Sequence, residues 1–212
     1  MFDIASIIKE LSILALPFLL AITCHEAAHG YVAWLLGDPT AKDAGRLTLN
    51  PLRHLDPLGT LALVLTRMIG WAKPVPVNPS YFKNPQRGMM LVSLAGPAAN
   101  MILAIIFAMI LKGIFAIDLR SLSPIMLKVL EPTALIAKTG VIINLALCFF
   151  NLLPLPPLDG SKIVAGFLPR QAAYKYLSFR YGFVIVILLA VLGLLSKFIS
   201  PVIIFFYNLL LS

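Results

Sequence analysis

Cys24-His25-Glu26-Ala27-Ala28-His29-Gly30 sits inside an apolar run from Leu11 to Leu36. As a helix that run is about 39 Å long, enough to cross a hydrocarbon core of about 30 Å. His25 and His29, spaced i and i+4, share one helix face and can grip one metal ion. Glu26 points about 100° away from His25 around the helix, so it is placed to act on a metal-bound water rather than to bind the metal. In a soluble helix such a cluster is commonly a solvated surface. Inside a membrane span there is no solvated face, and two imidazoles and a carboxylate there are costly, so the pattern reads as a functional metal site.

The rest of the chain supports the membrane setting. It has 212 residues, 60% hydrophobic and only 12% charged, with a mean hydropathy of +0.94. This is the composition of an integral membrane protein. The net charge of +8 would suggest nucleic acid in a soluble protein. Here most Lys and Arg fall in short loops between spans, where they set topology, and no nucleic-acid partner is expected. The first apolar run lacks a short core followed by a small-residue cleavage site, so it is read as retained. Cys24 and Cys148 both lie in apolar spans and suggest neither a disulfide nor a thiolate metal site.

Further along, Gly37-Asp38-Pro39 stops the first helix. Residues Gly45–Leu49 suit a short strand or an irregular loop. Leu58–Trp71 is apolar but short and contains Arg67, so it reads as re-entrant or interfacial. Lys73-Pro74-Val75-Pro76-Val77-Asn78-Pro79 is extended, because its prolines forbid a continuous helix. Met89–Leu111 and Thr133–Leu153 are further spans. Ser161–Leu168 reads as a short helix, Pro169–Arg180 as a basic connection, and Tyr181–Leu211 as one kinked helix or two short ones. The fold class is therefore an all-α polytopic membrane protein. It has four to six transmembrane helices, a re-entrant or interfacial segment and a short β-like loop, in one domain over residues 1–212.

Charge argues the orientation. If Leu58–Trp71 turns back without crossing, Lys42, Arg46, Arg53, Arg67, Lys73, Lys83 and Arg87 lie on one side. Lys162, Arg170, Lys175 and Arg180 then return to it. That side should face the cytoplasm. The end of the first span that carries the histidines, and Asp159, open toward the same side.

A catalytic zinc takes three protein ligands and leaves a position for water. HExxH supplies two. Asp38, Asp43 and Asp56 sit in loops, where solvated charge is the better reading. Asp159 follows a span in the rigid turn Pro154-Leu155-Pro156-Pro157-Leu158-Asp159-Gly160 and is the leading third ligand; its competing role is a helix cap near Ser161. His54 is the other candidate ligand.

Three motifs occur in order: His25-Glu26-Ala27-Ala28-His29, Ala95-Gly96-Pro97-Ala98-Ala99-Asn100, and Asn151-Leu152-Leu153-Pro154-Leu155-Pro156-Pro157-Leu158-Asp159-Gly160. In that order the chain resembles the site-2 proteases, zinc-dependent intramembrane metalloproteases, over nearly its whole length. The resemblance implies a zinc held by His25, His29 and Asp159, with Glu26 as general base and Asn151 at the active site. It implies an endopeptidase in the cell membrane that hydrolyses bonds in or near transmembrane segments of protein substrates. Asn100 is as well explained by packing with Gly96 and Pro97 as by a substrate contact. Two departures are visible: Ser161 stands where many members have a second glycine, and no PDZ-like domain is inserted. The alternative is a non-catalytic or metal-transporting membrane protein of the same fold.

Overall fold

The computed structural model describes residues 4–59, 72–118 and 122–212, with side chains from residue 12 onward. Its helices are α1 (Ile4–Leu35), α2 (Thr40–Asp43), α3 (Pro85–Phe115), α4 (Pro124–Asn151), α5 (Asp159–Ala165), α6 (Arg170–Leu177), α7 (Gly182–Val191) and α8 (Leu194–Leu211). Among the described residues, four helices are long and apolar enough to cross a membrane: α1, α3, α4 and α8. The α6–α7 pair, bent by 53°, makes a fifth span if it is counted as one. The chain is an all-α polytopic membrane protein.

Local chemistry explains where the long helices begin. Asn84 caps α3 by accepting the Arg87 N–H, and Pro85 occupies the first turn, where its missing donor costs nothing. Ser123 and Pro124 do the same for α4. That start lies nine residues before the sequence-based boundary at Thr133, and Pro132 is carried inside the helix. The cap-plus-proline signal at Ser123 outweighs the later proline.

The central bundle is α1, α3 and α4, with α5 seated on α3 and α8 on α4. Ala104, Phe107, Ala108 and Leu111 of α3 pack against Ala137, Val141 and Leu145 of α4. A side chain at Gly140 would run into the Phe107 ring, so the small residue sets how closely the two helices approach. Many large apolar side chains stay exposed on the outer faces, Ile102, Met109 and Phe205 among them. A bilayer, not water, suits that surface.

Two alternatives are decided and two expectations are corrected. The loop at Gly45–Leu49 is irregular; among the described residues the only β pairing is an isolated bridge between Leu55 and Ala72. Pro169–Arg180 contains helix α6. Tyr181–Leu211 is two helices, parted at Gly193, whose φ of +69° favours glycine. Asp159 is the first residue of α5, not part of a non-helical turn. The re-entrant reading of Leu58–Trp71 falls on residues 60–71, outside the described residues.

Candidate metal centre

The two histidines come from the C-terminal half of α1 and the aspartate from the start of α5. A side chain at Gly160 would strike the carbonyls of Leu152 and Leu153. Glycine there lets α5 begin hard against the end of α4. The Ser161 hydroxyl donates to the Leu158 carbonyl at 2.6 Å and tightens the same turn. Asp159 is thereby delivered to the imidazoles. No side-chain hydrogen bond caps α5, so its carboxylate is not spent on the helix terminus.

His25 Nε2 lies 3.0 Å from His29 Nε2, and each lies 3.2 Å from Asp159 Oδ2. All three residues are less than a tenth exposed. The tautomers follow from what stands behind each ring. His29 Nδ1 is 2.7 Å from the Val92 carbonyl, which can only accept. His25 Nδ1 is 2.6 Å from Asn100 Oδ1. That amide is oriented by its own Nδ2, which donates to the Ala21 carbonyl and to Asn144 Oδ1. Asn144 is set in turn by donating to the Gly140 carbonyl. Both Nδ1 atoms therefore carry the proton, and both Nε2 atoms present lone pairs to the centre.

Three acceptors thus converge with no donor among them, an arrangement that a cation resolves. Tetrahedral ligands at about 2.0–2.1 Å from zinc lie about 3.3 Å from one another, close to the separations found here. Gly96 of α3 supplies the room: a side chain there would lie 2.5–2.6 Å from His29 Nε2 and His25 Nε2. The residues present fit a zinc ion. Lys162 Nζ, one turn along α5, stands 3.4 Å from Asp159 Oδ1. Burial disfavours the charged Asp159 carboxylate, and this ammonium opposes that shift.

Glu26 is not among the converging groups. Its Oε2 accepts the Val75 N–H at 2.8 Å. Flanked by Pro74 and Pro76, Val75 carries the one backbone donor of that tripeptide. Arg46 secures the segment, donating to the carbonyls of Lys73 and Pro74 at 2.6 and 3.3 Å. Burial lowers the Arg46 guanidinium somewhat, and the Glu26 charge opposes that shift. Asp38 secures the other end. It accepts from the Asn78 N–H at 2.7 Å and from both donors of Thr40. Burial pushes its carboxyl up, but these donors prevail and hold it below its ordinary value. Asp38 is fully buried, which corrects its reading as a solvated loop charge.

The other candidates fall as follows. His54 is buried, with Nε2 on the Thr48 carbonyl, and is not part of the cluster. The Asn151 amide donates to the Leu147 carbonyl of its own helix. Asn100, assigned in sequence to packing as readily as to substrate, stands directly behind His25. Asn144, Arg46 and Val75 were missed. Asn144 had one visible signal, an amide inside an apolar span; Val75 had none, since its contribution is a backbone N–H.

Comparisons with known proteins identify a family. The model of a family described as "Peptidase family M50" matches residues 13–189. "Putative zinc metalloprotease YwhC" of Bacillus subtilis is 41% identical over 189 residues, covering 89% of this chain and 84% of that protein. "Putative zinc metalloprotease Rip2" of Mycolicibacterium smegmatis is 28% identical, covering 90% of this chain and 71% of that protein. The Mycobacterium tuberculosis H37Rv protein of the same name is 29% identical, over 68% of this chain and 52% of its own length. No solved structure matches the chain. With those names and this donor set, zinc is the cofactor.

Proposed function

The chain belongs to peptidase family M50, the site-2 protease family, and from that premise we propose an intramembrane endopeptidase. It hydrolyses peptide bonds in or near transmembrane segments of other membrane proteins. One observation carries the reading. His25, His29 and Asp159 converge beneath the surface of a bundle of apolar spans, with Glu26 on the adjoining face of α1.

In this reading His25, His29 and Asp159 hold the zinc. When bound, zinc acidifies a water and polarises the scissile carbonyl. Glu26 takes the proton of the attacking water and passes it to the leaving amine. Val75 engages Oε2 and leaves Oε1 free of that contact. Asn151 ends α4, ahead of the turn that carries Asp159. It turns its amide from Leu147 to the substrate and steadies the carbonyl under attack. The substrate helix unwinds locally so that its peptide bond is exposed. A cavity of about 360 Å³ is lined by Cys24, Ala27, Ala28, Tyr31 and Leu47–Leu49. The extended substrate would pair with the Gly45–Leu49 loop by strand addition. The distribution of Lys and Arg supports an active site open to the cytoplasm and residence in the cell membrane.

Glu26→Gln tests the assignment. It keeps size and hydrogen bonding but cannot take the proton. Zinc content should stay at the wild-type level while cleavage of a transmembrane substrate falls by roughly two orders of magnitude or more. Both are measured on one preparation. Unchanged cleavage would move the peptidase centre elsewhere and favour the non-catalytic or transport reading.

A further inference from the structure

A cavity of about 570 Å³ lies between the start of α3, helix α5 and the α6–α7 pair. Its walls have two characters. Met89, Leu177 and Phe183 are apolar; Lys162, Arg170 and Arg180 are cationic, and no acidic residue lines it. Arg170 and Arg180 form no ion pair among the described residues, although Arg180 sits 5.3 Å over the Tyr181 ring. The level matters as much as the lining. The α3 span starts at Pro85, and Met89 lies one turn inside it. α7 is apolar from Gly182 onward, and the basic helix α6 precedes it. The cavity therefore straddles the depth at which apolar spans emerge into the headgroup region.

Its size is that of a small-molecule site. Two arginines without a counter-charge, beside a lysine shared with Asp159, call for an anionic occupant. The apolar wall calls for an occupant that also carries hydrocarbon, and a free anion would leave that wall in water. Basic pockets between membrane helices attract anionic headgroups for these reasons.

We propose that this cavity binds one anionic phospholipid, its phosphate among Lys162, Arg170 and Arg180 and an acyl chain along Met89, Leu177 and Phe183. Lys162 also touches Asp159, so the occupant shares a cation with the metal centre. The proposal rests on the membrane setting and is independent of the peptidase reading.

The full chain, reconstituted in nanodiscs of phosphatidylcholine with a minor fraction of phosphatidylglycerol, is released into detergent. The retained lipids are counted by native mass spectrometry. One phosphatidylglycerol should be kept in preference to phosphatidylcholine, on the order of tenfold or more, the scale on which a few basic side chains attract an anionic headgroup. Arg170→Gln with Arg180→Gln should bring retention to the phosphatidylcholine level at unchanged zinc content. Arg170→Lys with Arg180→Lys should keep the preference. Equal retention of the two lipids by the wild type would overturn the proposal, whatever the variants do. Displacement of phosphatidylglycerol by millimolar inorganic phosphate would reassign the cavity to a free anion, and a preference surviving in the Gln variant would place the lipid elsewhere.

Discussion

His25 and His29 are held from behind by groups on rigid spans, Asn100 and the Val92 carbonyl of α3, with Asn144 of α4 one step further back. Glu26, one residue from His25, is held instead by the irregular segment around Val75, which Arg46 and Asp38 fasten to the rest of the molecule. The ligand half of the site is thus built by helix packing. The base half is built by a strap between α1 and α3. The two halves touch through one helix yet depend on different contacts, so each can be damaged with the other left intact.

The largest effect should come from the ligand half. Asp159→Ala and His25→Ala should each take zinc from about one per chain to near zero and abolish proteolysis, since a catalytic site has no spare protein ligand. Metal analysis of the purified variants checks this. Full zinc in Asp159→Ala, with loss in His54→Ala, would move the third ligand to His54 and break the comparison.

One step back, Asn100→Ala leaves the ligands in place but removes the acceptor behind His25. Zinc affinity, measured by competition with a chelator, should fall about 10- to 100-fold, as for other residues that orient metal-binding histidines. An unchanged affinity would mean that the helix backbone alone orients the ring.

The base half should respond differently. Val75→Pro removes one N–H donor and no side-chain charge. A hydrogen bond to a charged group contributes about 1.5 kcal/mol or more, so kcat should fall roughly tenfold. Zinc content and KM should be held. Loss of zinc in this variant would show that the halves are not separable.

The smallest effect concerns Asp38, at the far end of the strap. Its carboxyl is held below the ordinary value in the folded protein. It therefore contributes stability above about pH 4, which is lost as pH falls through its depressed folded value. Asp38→Asn should lower the melting temperature at neutral pH, and the gap to wild type should close on acidification. A gap that stays constant with pH would assign the role to shape alone. Zinc content should not change.

Much of the ligand half was legible in the sequence because it is written in side chains at helical spacing. HExxH inside an apolar run forces two imidazoles onto one face. The proline-rich turn ending in Asp159-Gly160 announces a chain reversal beside a span. The base half was illegible for the opposite reason. Val75 acts through its backbone, and nothing in its side chain signals that. Asp38 and Arg46 look like ordinary loop charges until burial is known. The start of α4 was placed at Thr133, whereas Ser123 and Pro124 begin the helix.

The sequence by itself determined the membrane environment, the helical character of the spans and the pairing of His25 with His29 on one helix face. Those properties follow from local composition and from the period of the α-helix, which act over a few residues. Only the tertiary structure decided that Asp159 reaches α1 from 134 residues away, that Asn144 supports a histidine through Asn100, and that Val75 meets Glu26. Such pairings depend on how closely helices approach at Gly96, Gly140 and Gly160. That closeness is a property of packed surfaces, which no single segment contains.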